Sequence, residues 1–175
     1  MDACRVILIG MMGSGKSTIG RLLAEVTGWP YVDNDELVQR AHGATPRQLL
    51  AERGEGAMRF AESSALALGL DVPEPAIIGA AAGTILDVRD RDRMRDGGIV
   101  VWLTAASPVL AERAAGSEHR PWLEGDAESW MREAAAARDP LYASVADITI
   151  DTTTNSPEAA ASELHERLLE FETCR

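Results

Sequence analysis

The sequence predicts a three-layer α/β fold, with a parallel sheet of about five strands and helices on both faces. Two observations carry that expectation. Short apolar runs such as Arg5-Val6-Ile7-Leu8-Ile9 and Ile99-Val100-Val101-Trp102-Leu103 have the near-continuous hydrophobicity of strands buried on both faces. Amphipathic stretches with a period near 3.6 alternate with these runs. The chain has 175 residues, 46% hydrophobic and 26% charged, which is ordinary for one globular unit over 1–175 that needs no disulfide or structural metal.

The elements follow in order. After the first run comes Gly10-Met11-Met12-Gly13-Ser14-Gly15-Lys16-Ser17-Thr18. Ile19, Leu22, Leu23 and Val26 then recur at i, i+3, i+4 and i+7, a helix that Gly28 and Pro30 end. Tyr31-Val32 reads as a second strand, closed by Asp33-Asn34-Asp35, and a helix carrying Leu37 and Val38 follows. Thr45-Pro46-Arg47-Gln48 is a capping box with proline at the first helical position, opening a helix that breaks near Gly54 and reaches about Leu70. Ala76-Ile77-Ile78 is the third strand. Asp87 to Asp96 is dense in both charge signs and reads as a solvated helix face, and Ile99 to Leu103 is the fourth strand. Ser107-Pro108 starts a helix, and the polar stretch at about 116–126 has the length of a lid. A helix from about Ala127 to Arg138, a last strand at Ile148-Thr149-Ile150 and a helix from Ser156-Pro157, with Leu164, Leu168 and Phe171 on one face, complete the chain. The region at about 35–70 stands out as a helical insertion between the second and third strands.

Net charge is −11, a field that repels nucleic acid and anionic membranes, so neither is expected as a partner. No apolar run approaches a membrane span, and no basic-apolar leader opens the sequence. Cys4 and Cys174 give no disulfide framework, and a reducing cytoplasm is the expected setting. Of 17 basic residues only Lys16 is a lysine. Gly10 to Ser17 fits G-x-x-x-x-G-K-[ST] at every fixed position, between a buried strand and an amphipathic helix. That pattern cradles nucleotide phosphates on backbone N–H groups, with the lysine on the β- and γ-phosphates and the serine on Mg²⁺. Asp33 and Asp35 fall at the carboxyl edge of the sheet, where Asp33 suits a metal or the cap of the next helix. Asp35 suits the orientation or deprotonation of a hydroxyl.

Taken together these segments resemble the shikimate kinase family of P-loop kinases, from about Val6 to Leu169. The motifs are Gly10 to Gly20; Asp33-Asn34-Asp35; Gly54-Glu55 with Arg59 and Glu62, Met58 standing where the family has phenylalanine; Arg120-Pro121-Trp122-Leu123; and Arg138-Asp139-Pro140-Leu141-Tyr142. The resemblance implies a P-loop kinase fold, ATP and Mg²⁺ as cofactors, and a small carboxylated polyol, shikimate first, as acceptor in a monomeric enzyme. It also implies roles. Lys16, Asp35 and Arg120 would be catalytic. Gly13, Ser14, Gly15, Lys16, Ser17 and Thr18 would hold ATP together with Arg113 and Arg120. Ser17 and Asp33 would take the metal. Asp35, Arg59, Gly79, Ala80, Ala81 and Arg138 would hold the acceptor, the two arginines on its carboxylate, with Glu62 steadying Arg59.

The sequence departs from the family in Gly79-Ala80-Ala81-Ala82-Gly83, where the family has three glycines. Methyl groups at Ala80 and Ala81 are expected to extend toward the acceptor and to strain any position of positive φ. Thr153-Thr154-Asn155 stands where the family has basic residues beside adenine. The other readings left open are a paralogous kinase for a related cyclitol or sugar acid, and a nucleotide-binding regulator with impaired catalysis.

Overall fold

The computed structural model describes residues 4–115 and 127–173, with side chains up to residue 170. The expected lid at 116–126, with Arg120 and Trp122, lies outside the described residues, as do Cys174 and the Phe171 side chain. Five strands form one parallel sheet: β1 (Arg5–Ile9), β2 (Tyr31–Asp33), β3 (Ala76–Gly79), β4 (Ile99–Thr104) and β5 (Ile148–Asp151), in the spatial order β2-β3-β1-β4-β5. The helices are α1 (Lys16–Thr27), α2 (Asn34–His42), α3 (Pro46–Leu70), α4 (Val88–Gly97), α5 (Ser107–Ala115), α6 (Ala127–Ala143) and α7 (Pro157–Thr173), with a 3₁₀ turn at Thr84–Leu86.

β1 explains the layering. Alternate side chains of a strand face opposite ways. Val6 and Leu8 join Ile19 and Leu23 of α1 and Leu164 and Leu168 of α7 on one face of the sheet. Ile7 and Ile9 join Leu66 of α3, Met94 of α4, Leu110 of α5 and Met131 of α6 on the other. All four β1 residues are at most 2% exposed, which is why the run is apolar without alternation.

The topology positions the site. β1 leads into α1 on one face, whereas its neighbour β3 leads toward α4 on the other. Diverging connections from adjacent parallel strands open a crevice at their carboxyl ends. α2 and α3 overhang that crevice around a smaller core of Val38, Leu49, Met58, Ala61 and Ala65. The Thr45–Gln48 capping box forms as read, and α3 breaks at Gly54 (φ 81°, ψ 174°).

Two local expectations are corrected. α6 does not stop at Arg138; it runs through Pro140 to Ala143, and this carries Tyr142 into the core at 1% exposure. The charged stretch of α4 is not wholly solvated. Asp90 is 1% exposed and accepts hydrogen bonds from Ser63 Oγ and Arg93 Nη1, both at 2.8 Å, which pins α4 to α3. Among the described residues no helix is long and apolar enough to cross a membrane.

Candidate active site

The crevice holds a cavity of about 660 Å³ that reaches from the glycine-rich loop to α3 and α6. Every site residue expected from the sequence lines it, apart from Arg120, which lies outside the described residues.

At the donor end the loop leaves β1 and enters α1. Gly13 and Gly15 have φ of 79° and 95°, a region that side chains disfavour. A Cβ on Gly13 would lie 2.7 Å from the Leu110 carbonyl oxygen. Gly15 occupies the N-cap of α1 without a side-chain cap, and no acidic residue sits in the first turn. The first N–H groups of α1 therefore open toward the cavity with the positive end of the helix dipole, a setting for phosphate. Lys16 Nζ donates to the carbonyls of Gly10 (2.9 Å) and Met11 (3.0 Å), which holds the ammonium over the loop. Thr152, just past β5, ties the rear of the loop. Its hydroxyl donates to Ser14 O at 3.2 Å, and Arg113 donates to its carbonyl oxygen at 2.8 Å.

Beside the loop, Ser17 Oγ donates to Asp33 Oδ2 at 2.8 Å. Tyr31 Oη donates to the same oxygen at 3.0 Å, and Asp33 Oδ1 accepts the N–H of Asp35 at 3.0 Å. Asp33 thus caps α2, as one reading of the sequence had it, and faces Ser17 at once. Burial, reinforced by the Asp33 carboxylate, raises the Tyr31 phenol far above its ordinary value, so it remains a donor throughout the working range. The Tyr31 ring sits where a Cβ on Gly20 would meet its edge and a Cβ on Gly79 would meet its hydroxyl.

The acceptor end is built on α3, α6 and the segment after β3. Arg59 Nη1 donates to Glu62 Oε2 at 2.8 Å, and its Nη2 to Glu55 Oε1 at 3.2 Å. Burial pulls the Arg59 pKa down, but the two glutamates outweigh it and leave it raised. Glu62 is 7% exposed; burial holds its pKa above the ordinary glutamate value against the opposing pull of Arg59. Arg138 contacts Met11 Sδ at 3.8 Å and lies 5.9 Å from the centroid of the Trp130 ring. Asp35 is exposed at the start of α2 and lines the cavity between the two ends.

The family model for shikimate kinase matches residues 12–169. The chain belongs to the shikimate kinase family. A shikimate kinase of Symbiobacterium thermophilum is 38% identical over 168 residues, covering 94% of this chain and 96% of the relative. One from Moorella thermoacetica is 36% identical over 163 residues, 93% of each chain. The structure of a shikimate kinase from Acinetobacter baumannii in complex with shikimate superposes with a TM-score of 0.91 at 29% identity, covering 97% of this chain and 94% of that one.

In this member of the shikimate kinase family the expectations for the segment Gly79 to Gly83 need correcting. No residue other than glycine has positive φ among the described residues, so Ala80, Ala81 and Ala82 are unstrained. Ala80 touches the cavity but is 2% exposed; it packs in the core with Ile9, Ile85 and Tyr142, and its N–H donates to Leu8 O at 3.0 Å. The tight positions are the flanking ones, Gly79, where a Cβ would meet the Tyr31 hydroxyl, and Gly83, where a Cβ would displace the end of the Arg59 side chain. Ala81 and Ala82 are the methyl groups left at the cavity wall.

Sequence reasoning missed Tyr31, Thr152 and Trp130. A polar residue directly after β5 was a usable signal for Thr152, since ligands gather at strand carboxyl ends. Trp130 gave none, because one aromatic on a helix reads as packing.

Proposed function

We propose that this chain transfers the γ-phosphoryl group of ATP to a hydroxyl of shikimate, the reaction of the family to which it belongs. The observation that carries this reading is one cavity joining a phosphate-binding loop to two arginines. Arg138 forms no ion pair within 4 Å among the described residues, so its charge is available to an acceptor carboxylate. Arg59, fixed by Glu62 and Glu55, supplies a planar donor fork of set orientation.

The chain's own groups divide the work. Loop N–H groups and the α1 terminus cradle the phosphates. Lys16 moves from the loop carbonyls onto the β- and γ-oxygens and neutralises them. Asp35 accepts a hydrogen bond from the acceptor hydroxyl and takes its proton as the oxygen attacks the γ-phosphorus and the bond from that phosphorus to the β,γ-bridging oxygen breaks, releasing ADP. Arg113 supports the nucleotide side, and Arg120 would balance charge on the transferred group. Ser17 and Asp33 would hold Mg²⁺; both are hard oxygen donors. When bound, Mg²⁺ supplies further neutralisation of phosphate charge. We place the enzyme in the cytoplasm, acting as a monomer on a small molecule.

A coupled ADP-release assay with shikimate, quinate and a carboxylate-free cyclitol tests the reading. Turnover is expected with shikimate, less with quinate and none with the cyclitol. Equal turnover of the cyclitol would remove the arginine clamp.

A further inference from the structure

Arg59 and Arg138 face the same cavity but are held by opposite means. Arg59 is held by two carboxylates, which fix it and cancel its charge. Arg138 is held by a thioether and an indole, neither of which carries charge, and it meets the Glu62 carboxylate only through space, without an ion pair. Trp130 and Arg138 lie eight residues apart on α6, about 12 Å along the axis. The guanidinium nonetheless lies 5.9 Å from the ring centroid, so the Arg138 side chain runs back along the helix toward Trp130. Ala134, midway on the same face, leaves the path open. Trp130 is 36% exposed and lines the cavity, so this contact belongs to the site and not to the core.

We propose that Trp130 is a positioning residue for acceptor recognition, its indole face holding the Arg138 guanidinium in the cavity without neutralising it. A glutamate in that place would orient the arginine equally well but would compete with the acceptor's carboxylate. An aromatic face attracts a cation through its quadrupole and has no net charge to set against an incoming anion. The two arginines therefore have distinct duties: Arg59 sets geometry, and Arg138 supplies the net positive charge. This deepens the kinase reading and rests on it for the nature of the acceptor, but the contact itself is a property of the chain alone.

The test compares wild type with Trp130→Phe, which keeps a π face, and Trp130→Leu, which keeps apolar bulk without one. Loss of the π face is expected to raise the KM for shikimate about two- to tenfold in Trp130→Leu, with a smaller rise in Trp130→Phe. The KM for ATP and the melting temperature should stay unchanged. A shikimate KM in Trp130→Leu equal to wild type, or equal rises in both variants, would overturn the proposal. An acceptor-independent arm uses the emission component lost in Trp130→Phe, measured without ligands. It is expected to shift in Arg138→Met, and an unshifted component would overturn the proposal even if shikimate proved not to be the acceptor. Absence of shikimate turnover in wild type, with that emission shift intact, would remove the acceptor assignment and leave the Trp130–Arg138 contact standing.

Discussion

Glu62 shows how one side chain can serve the site against the stability of the fold. It orients Arg59 from a buried position, and burial raises its pKa despite the arginine beside it. The native state therefore holds the Glu62 proton more tightly than the unfolded chain does. Ionisation then costs stability as pH rises from the ordinary glutamate value of 4.5 through the raised native value. Glu62→Gln removes that cost. Its melting temperature should gain on wild type as pH rises through that window, while the acceptor KM increases because Arg59 keeps only its more exposed ion pair, with Glu55. A wild type that gains on the variant with rising pH would reverse the argument. A second residue-scale test uses the contact between Gly79 and the Tyr31 hydroxyl. Gly79→Ala should cost about 1–3 kcal/mol by overpacking. Adding Tyr31→Phe should recover part of this although it removes the bond to Asp33, so denaturation should find the double variant more stable than Gly79→Ala alone.

At the scale of elements, the break in α3 turns the helix so that Glu55, Arg59 and Glu62 form one row beside the cavity. Gly54 has φ 81° with nothing within 4 Å of a Cβ, so only its backbone conformation demands glycine. Gly54→Ala should destabilise by about 1 kcal/mol or more through strain, and a variant as stable as wild type in urea would show that α3 straightens instead. This break was legible in the sequence, as were the loop, the capping box and the strands, because each depends on local chemistry: a glycine, a cap or an apolar run. What could not be read depends on partners distant in the chain. Asp90 looked like any other residue of a charged stretch, and only the approach of Ser63 from α3 buries it. Ala80 looked like an obstruction in the pocket, and only the packing of Tyr142 and Ile85 places its methyl in the core. Trp130 acquires its role from an arginine two turns further along α6.

For the whole molecule, the decisive feature is a sheet whose central strand feeds two cores. Leu8, on the side shared with α1 and α7, is fully buried, and Leu8→Ala should cost about 2–5 kcal/mol of unfolding free energy. Phe60, larger but 70% exposed on α3, should change stability by no more than about 0.5 kcal/mol when replaced by alanine. Chemical denaturation of the two variants separates burial from size. The Tyr31 ring lies between α1 and β3, with Gly20 against its edge and Gly79 against its hydroxyl. Such a ring makes positions 20, 31 and 79 a single unit of inheritance. Descendants that lose the hydroxyl alone relieve residue 79 only in part, because the ring carbon behind it would still lie 3.1 Å from a Cβ there. Residue 20 gains room only when the aromatic ring itself is given up.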